Sequence, residues 1–212
     1  MMVIRECTNK NCLFRFPDSV SGQKLLYCPK CGEETVIREE IRIDNPPQNS
    51  KQADFSGNNL VVILDNIRSI YNVGSIFRTA DGFGVERIDL CGITPTPQNL
   101  RFNKTSLGAE SHVRWNYHLN AVAACQSLLK QGYQLIALEN TDNSISIYNL
   151  KKDQLAEKFA LVLGNEKSGV DPAILRISNL TVSIPMHGYK NSFNVATAFG
   201  IAVSYLYALS IK

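Results

Sequence analysis

Three stretches of this 212-residue chain put ligand-handling side chains where an apolar run turns into a helix. They are NVGSIFRTADGFG (72–84), LVLGNEKSGV (161–170) and IPMHGYKNSFNVATA (184–198). Asn, Ser and Glu in such turns hydrogen-bond hydroxyls and amines, and Arg adds a planar cationic fork that suits phosphate. The glycines let backbone approach a ligand closely. Ligands of open α/β sheets sit outside the carboxyl ends of the strands, so the spacing predicts that the three turns converge on one pocket.

Each turn also has a plainer reading. A helix over 73–83 puts Val73, Ile76, Phe77, Ala80 and Phe83 on one face, with Arg78 nearly opposite and one turn below Gly74. The missing side chain at Gly74 is expected to leave open space beside the guanidinium. Asn72 is placed to cap that helix or to bind a ligand at its N-terminus, and Arg78 also reads as a surface cation. In the second turn Gly164 and Gly169 frame Asn165 and Glu166, and Glu166 can orient a hydroxyl or an amine. In the third, Pro185 and Gly188 shape the chain, Ser192 reads as an N-cap and Asn194 as a helix-start hydrogen-bonding group. The G-x4-G-K-[ST] order of a phosphate loop is missing, and no G-x-G-x-x-G follows the first strand. No Ser-His-Asp arrangement is evident. His112 and His118 read as incidental, and His187 as a rim contact at most.

A second chemistry lies in the first 43 residues: Cys7-x4-Cys12, fifteen residues, then Cys28-x2-Cys31. Two close cysteine pairs around a short β-like stretch match a tetrahedral four-thiolate Zn(II) site, a zinc ribbon over 1–43. A segment of ~40 residues is too small to build a core alone, so a metal is also what its size demands. Such ribbons contact nucleic acid or are purely structural, and both readings stay open. Cys91 and Cys125 read as buried small hydrophobes.

These sites need elements to hold them. Residues 44–59 (DNPPQNSKQADFSGNN) are polar and read as a linker, leaving a domain over 60–212. There, strands are predicted at 60–64, 87–91, 113–117, 134–138, 159–163 and 180–184, with helices at 73–83, 121–131, 172–177 and 193–209. Asn120 and Asp171 serve as N-caps, with Gly132 past a helix end and Pro172 at a helix start. This alternation predicts an α/β fold with a mostly parallel sheet flanked by helices. The segment 195–211 is apolar nearly throughout and close to membrane-span length; it is read as buried in the core and at a subunit interface rather than in a membrane. The net charge of +3 permits an RNA partner without arguing for one. MMVIRECTNK has no apolar leader core, which predicts a cytoplasmic protein whose cysteines are ligands or thiols rather than disulfides.

Taken together, the three stretches resemble the signature motifs of the SPOUT superfamily, in its TrmH/SpoU family of RNA 2′-O-ribose methyltransferases. Asn72-x-Gly74-x3-Arg78-Thr79-Ala80 is similar to motif one, and Gly164-Asn165-Glu166-x2-Gly169 to motif two. Ile184-Pro185-Met186-x-Gly188-x3-Ser192-Phe193-Asn194-Val195 is similar to motif three, with Phe193 where Leu is commoner. The resemblance implies a C-terminal trefoil knot and bent S-adenosylmethionine held around Leu163, Gly164, Asn165, Gly169, Ile184, Met186, Phe193 and Asn194. It implies a homodimer through the last helix, and tRNA or rRNA as substrate. Asn72, Arg78, Glu166, Ser192 and Asn194 would form the catalytic set. The family mechanism makes the Arg a general base. Because guanidinium stays protonated, Arg78 is read instead as a phosphate clamp and alkoxide stabiliser, with Glu166 or water taking the proton. Arg101, Lys104 and Arg114, with His112, are expected to contact the RNA backbone. The competing readings are a non-enzymatic zinc-ribbon RNA-binding protein and methyl transfer to a base nitrogen.

Overall fold

The computed structural model describes residues 2–19, 26–41 and 59–210. Contacts divide the chain into two units, Met1–Asp54 and Phe55–Lys212. The linker expected over 44–59 lies outside the described residues except for Asn59, as do residues 42 and 43 of the expected ribbon.

The small unit is an antiparallel sheet of β1 (Met2–Cys7), β2 (Arg15–Ser19) and β3 (Thr35–Ile41), with β1 in the middle. Val3, Arg5 and Cys7 alternate with less buried neighbours, the period-2 pattern of a strand with one covered face. The buried Arg5 is paired: its Nε donates to Asp18 at 2.8 Å and Nη1 to the Thr35 hydroxyl at 3.3 Å.

The large unit is a seven-stranded sheet. Its strands are β4 (Asn59–Asp65), β5 (Arg87–Cys91), β6 (Arg114–His118), β7 (Gln134–Leu138), β8 (Ile145–Ser146), β9 (Lys158–Leu163) and β10 (Leu180–Ser183). They lie in the order β6-β5-β4-β9-β7-β10-β8, and every neighbouring pair is parallel. The predicted strands agree to within a residue at each end. The two-residue β8 carries no apolar run and escaped prediction.

Helices cover both faces, as parallel strands require. Val62, Leu64, Ile88, Leu90, Leu161 and Leu163 face α1 (Ile70–Gly82) and α5 (Val195–Ser210). Val61, Ile63, Ala160 and Val162 face α3 (Ala121–Lys130) and α4 (Pro172–Ile177). A short α2 (Asn103–Ser106) packs on α1. The predicted caps Asn120 and Asp171 hold, and Gly132 takes φ +84° past the end of α3.

Two expectations fail locally. Helix α1 starts at Ile70, not residue 73, because Ser69 caps it by accepting the Asn72 amide; Asn72 therefore sits inside the first turn rather than capping it. Helix α5 starts at Val195, because Asn194, not Ser192, accepts the amides of Ala196 and Thr197. Within one chain α5 is not buried all round. Phe199, Ala202, Val203 and Leu206 are covered, while Thr197, Ser204 and Ala208 are exposed. Among the described residues no helix is long and apolar enough to cross a membrane.

Candidate active site and candidate metal centre

A cavity of about 620 Å³ opens beyond the carboxyl ends of β7, β9 and β10. That volume suits a nucleotide-sized ligand. Leu163, Ile184, Met186 and Phe193 give it apolar walls, and Gly164, Asn165 and Gly169 form one rim. Glu166, Ser192 and Asn194 also line it, so the second and third turns do meet in one pocket.

The second turn is built on close backbone approach. Asn165 and Gly169 exchange both backbone hydrogen bonds, at 3.0 and 2.9 Å. A Cβ on Gly164 would run into the backbone of Gly169 and Val170. Gly169 takes φ +72°. The Asn165 side chain accepts the amides of Lys167 and Ser168, closing the loop, and donates to the Asn66 carbonyl at 2.6 Å.

Glu166 reaches the first turn. Its Oε2 accepts the Arg68 amide at 2.9 Å; Oε1 accepts the Ser69 amide at 3.1 Å and the Asn72 Nδ2 at 2.9 Å. The carboxylate therefore sits on the N-terminus of α1, where negative charge is favoured. Partial burial pushes its pKa up, but the bonds from Arg68, Asn72 and Ser69 outweigh that and hold it below the ordinary 4.5. Asn194 joins the third turn to the same point: its Nδ2 donates to Asn72 Oδ1 at 3.0 Å. Asn194, Asn72 and Glu166 thus form a continuous chain linking all three turns.

Arg78 is not brought to this cluster. It is exposed, and among the described residues it makes no hydrogen bond or ion pair. Six residues along α1 place it about 9 Å from Asn72. The expected open space at Gly74 is filled: Gly74 is buried, and a Cβ there would strike both side chain and backbone of Thr105. Gly74 therefore serves the approach of α2 to α1, not the guanidinium. Arg101 and Lys104 are exposed in and just before α2, off the cavity wall. Arg114 opens β6 at the amino edge of the sheet, on the face shared with Asn116 and His118, away from the three turns.

Two contributors were missed. Glu139, just beyond β7, lines the cavity and accepts the Val170 amide at 2.9 Å. Its place after a predicted strand was the available signal. Asn66, at φ +57° after β4, accepts the Asn165 bond. An Asn directly after a strand signals such a left-handed turn.

In the small unit, the ligand atoms of Cys7, Cys12, Cys28 and Cys31 all lie within 4.8 Å of one another. Two Sγ–Sγ distances are 3.4 Å and 3.9 Å. Tetrahedral thiolates 2.3 Å from a zinc ion are about 3.8 Å apart, so the donor set fits that ion. The Lys30 amide points at Cys28 Sγ at 3.4 Å, and Gly32 at φ +79° turns the chain back under the second pair.

A family model for the SpoU rRNA methylase family matches residues 59–204, which contain all three turns. The chain belongs to the SpoU rRNA methylase family. The resemblance read from the motifs is borne out, and the cysteine cluster lies outside the matched residues. The chain is 30% identical over 148 residues to the 23S rRNA (guanosine(2553)-2′-O)-methyltransferase of Bacillus subtilis, covering 69% of this chain and 57% of the other. It is 25% identical over 168 residues to a tRNA (guanosine(18)-2′-O)-methyltransferase of Borreliella burgdorferi, covering 79% and 75%. The A. aeolicus TrmH/SpoU tRNA modifying enzyme superposes with a TM-score of 0.65 at 25% identity, over 73% of this chain and 76% of that one. An AdoMet-bound rRNA methyltransferase from Sinorhizobium meliloti shares the fold, with a TM-score of 0.62 at 24% identity over 70% and 56%. The chain spans 54–75% of the length of eight of the curated relatives it matches.

Proposed function

We propose that the protein transfers a methyl group from S-adenosylmethionine to a ribose 2′-hydroxyl of tRNA or rRNA. The observation that carries this is that the second and third family motifs line one cavity and Asn72 of the first is tied to them through the Asn194–Asn72–Glu166 chain. The apolar walls and close-approach glycines fit the cofactor, held by Leu163, Gly164, Asn165, Gly169, Ile184, Met186, Phe193 and Asn194. Bound there, it supplies an electrophilic sulfonium methyl. The protein's part is alignment of the attacking oxygen, which can lower a barrier by up to ~7–11 kcal/mol.

In this reading Asn72, Ser192 and Asn194 position the ribose. Glu166 holds the first turn in place; with both oxygens occupied and its pKa depressed, it is a positioning residue and not the base. Water at the open mouth takes the proton. Arg78, exposed on the same helix and unpaired among the described residues, clamps an RNA phosphate. The exposed stripe of α5 becomes the interface of a homodimer, and the C-terminal chain path is a trefoil knot. A zinc ribbon over 1–43 and a cytoplasmic location complete the proposal. Methyl transfer from labelled S-adenosylmethionine into fractionated RNA tests it. Label in tRNA or rRNA supports it and names the substrate class. Failure to bind the cofactor in calorimetry would contradict it and favour a non-enzymatic RNA-binding module.

A further inference from the structure

A second cavity, of about 470 Å³, opens at the other end of the same carboxyl edge. Trp115 and Tyr117 of β6 form one side, and the loop leaving β5 forms the other. Their register partners are Ile88 and Leu90, which face α1, so the two rings share the face of the sheet that carries the first cavity. The Tyr117 hydroxyl donates to the Gly92 carbonyl at 2.8 Å, which fixes its ring. Across the cavity Gln98 is exposed, and among the described residues its side chain makes no hydrogen bond. Asn99 uses only its oxygen, accepting the Arg101 amide at 3.0 Å, and keeps its Nδ2 donors free. Exposed Arg101 and Lys104 follow on the same stretch. Aromatic faces, unspent amides and nearby cations are what an unpaired base on a phosphodiester strand requires.

The two cavities are mechanically joined. Asn66 receives Asn165 of the first cavity on its carbonyl at 2.6 Å, and its Oδ1 accepts the amide of Ile93 in the second at 3.1 Å. A side chain on Gly92 would strike the Asn66 amide group, so this strip has no slack. Strand order places β4 and the N-terminus of α1, with Asn72, between them. Two to three strand spacings separate the cavities, about 10–15 Å. That is a short step along an extended strand.

We propose that the Trp115–Tyr117 cavity binds an unpaired nucleobase of the RNA whose ribose is methylated at Asn72, stacking it on the rings and reading its edge with Gln98 and Asn99. The proposal rests on the RNA-methyltransferase reading above. Trp115 is the single tryptophan of the chain, so its emission reports the cavity directly.

The full chain is titrated with a fluorescein-labelled, mixed-sequence single-stranded RNA of about 15 nucleotides, the upper end of common single-strand site sizes. Anisotropy follows binding and tryptophan emission follows stacking. Quenching with the same midpoint as anisotropy is expected. Gln98→Ala and Tyr117→Leu are expected to weaken binding about tenfold each, with S-adenosylmethionine affinity unchanged in Gln98→Ala. Because Gln98 holds nothing else in place, its variant stays informative if Tyr117→Leu misfolds. RNA that binds with unchanged emission and equal affinity in Gln98→Ala overturns the proposal alone. No anisotropy change at all overturns it together with the RNA reading.

Discussion

Replacing Glu166 with Gln separates two roles that the residue type alone leaves open. The carboxylate accepts from the amides of Arg68 and Ser69 and from Asn72 Nδ2. Hydrogen bonds to a charged group are worth about 1.5–3 kcal/mol net when well buried, and Glu166 is exposed, so solvent screening lowers each to about 0.5–1 kcal/mol. Gln has one acceptor oxygen. Turned toward Ser69 and Asn72, it keeps two bonds without charge assistance and sets its NH2 against the Arg68 amide. The loss comes to about 1–2 kcal/mol of ordering at the first turn, or roughly 5–30-fold in kcat/KM. Had Glu166 been the proton acceptor, the loss would be about 10²–10⁴-fold. Steady-state methyl transfer with matched calorimetry for the cofactor makes the distinction. A loss of a thousandfold with unchanged cofactor affinity would refute the positioning argument. The pH dependence adds a second readout. Because the folded-state pKa of Glu166 is depressed, its contribution is fully present above the ordinary 4.5 and disappears as pH falls through the lowered value. Wild type should lose this ordering only in acid, and Glu166→Gln should show no such step.

Arg78→Lys keeps the charge but not the planar fork, and should lose most methyl-transfer activity; near-normal turnover would remove the clamp. Gly164→Ala forces a Cβ into the backbone of Gly169 and Val170, so calorimetry should show loss of S-adenosylmethionine binding while circular dichroism keeps the α/β signature. Unchanged cofactor affinity would mean that the second turn does not shape the pocket. Removing metal with a chelator should release one zinc equivalent per chain and, since structural zinc and folding are coupled, unfold the small unit while the large unit's transition persists. No metal by elemental analysis of the purified protein would contradict the four-thiolate assignment.

The strands at 87–91 and 134–138 were legible to the residue because their central positions are buried and turn signals flank them. The caps at Asn120 and Asp171 were legible because local side-chain bonding decides them. What stayed hidden depended on distant partners. Helix α1 begins early because Ser69 caps it, and the bond that holds Ser69 runs to Glu166, 97 residues away in the chain. Gly74 looked like room for a ligand because nothing in the sequence says that Thr105 packs there. Asn72 and Asn194 carried a motif, but their mutual bond across 122 residues is a tertiary fact. The aromatic cavity was invisible for the same reason: Trp115 and Tyr117 show only strand alternation, and the loop that faces them is set by Asn66.

The most direct test of the central claim is the chemical position of the transferred methyl group. RNA labelled by the wild-type protein would be digested to nucleosides and resolved by mass spectrometry. The account predicts a 2′-O-methylated nucleoside from wild type that is missing with Asn194→Ala and Arg78→Ala. Label on a base nitrogen, or undiminished 2′-O-methylation in both variants, would contradict it.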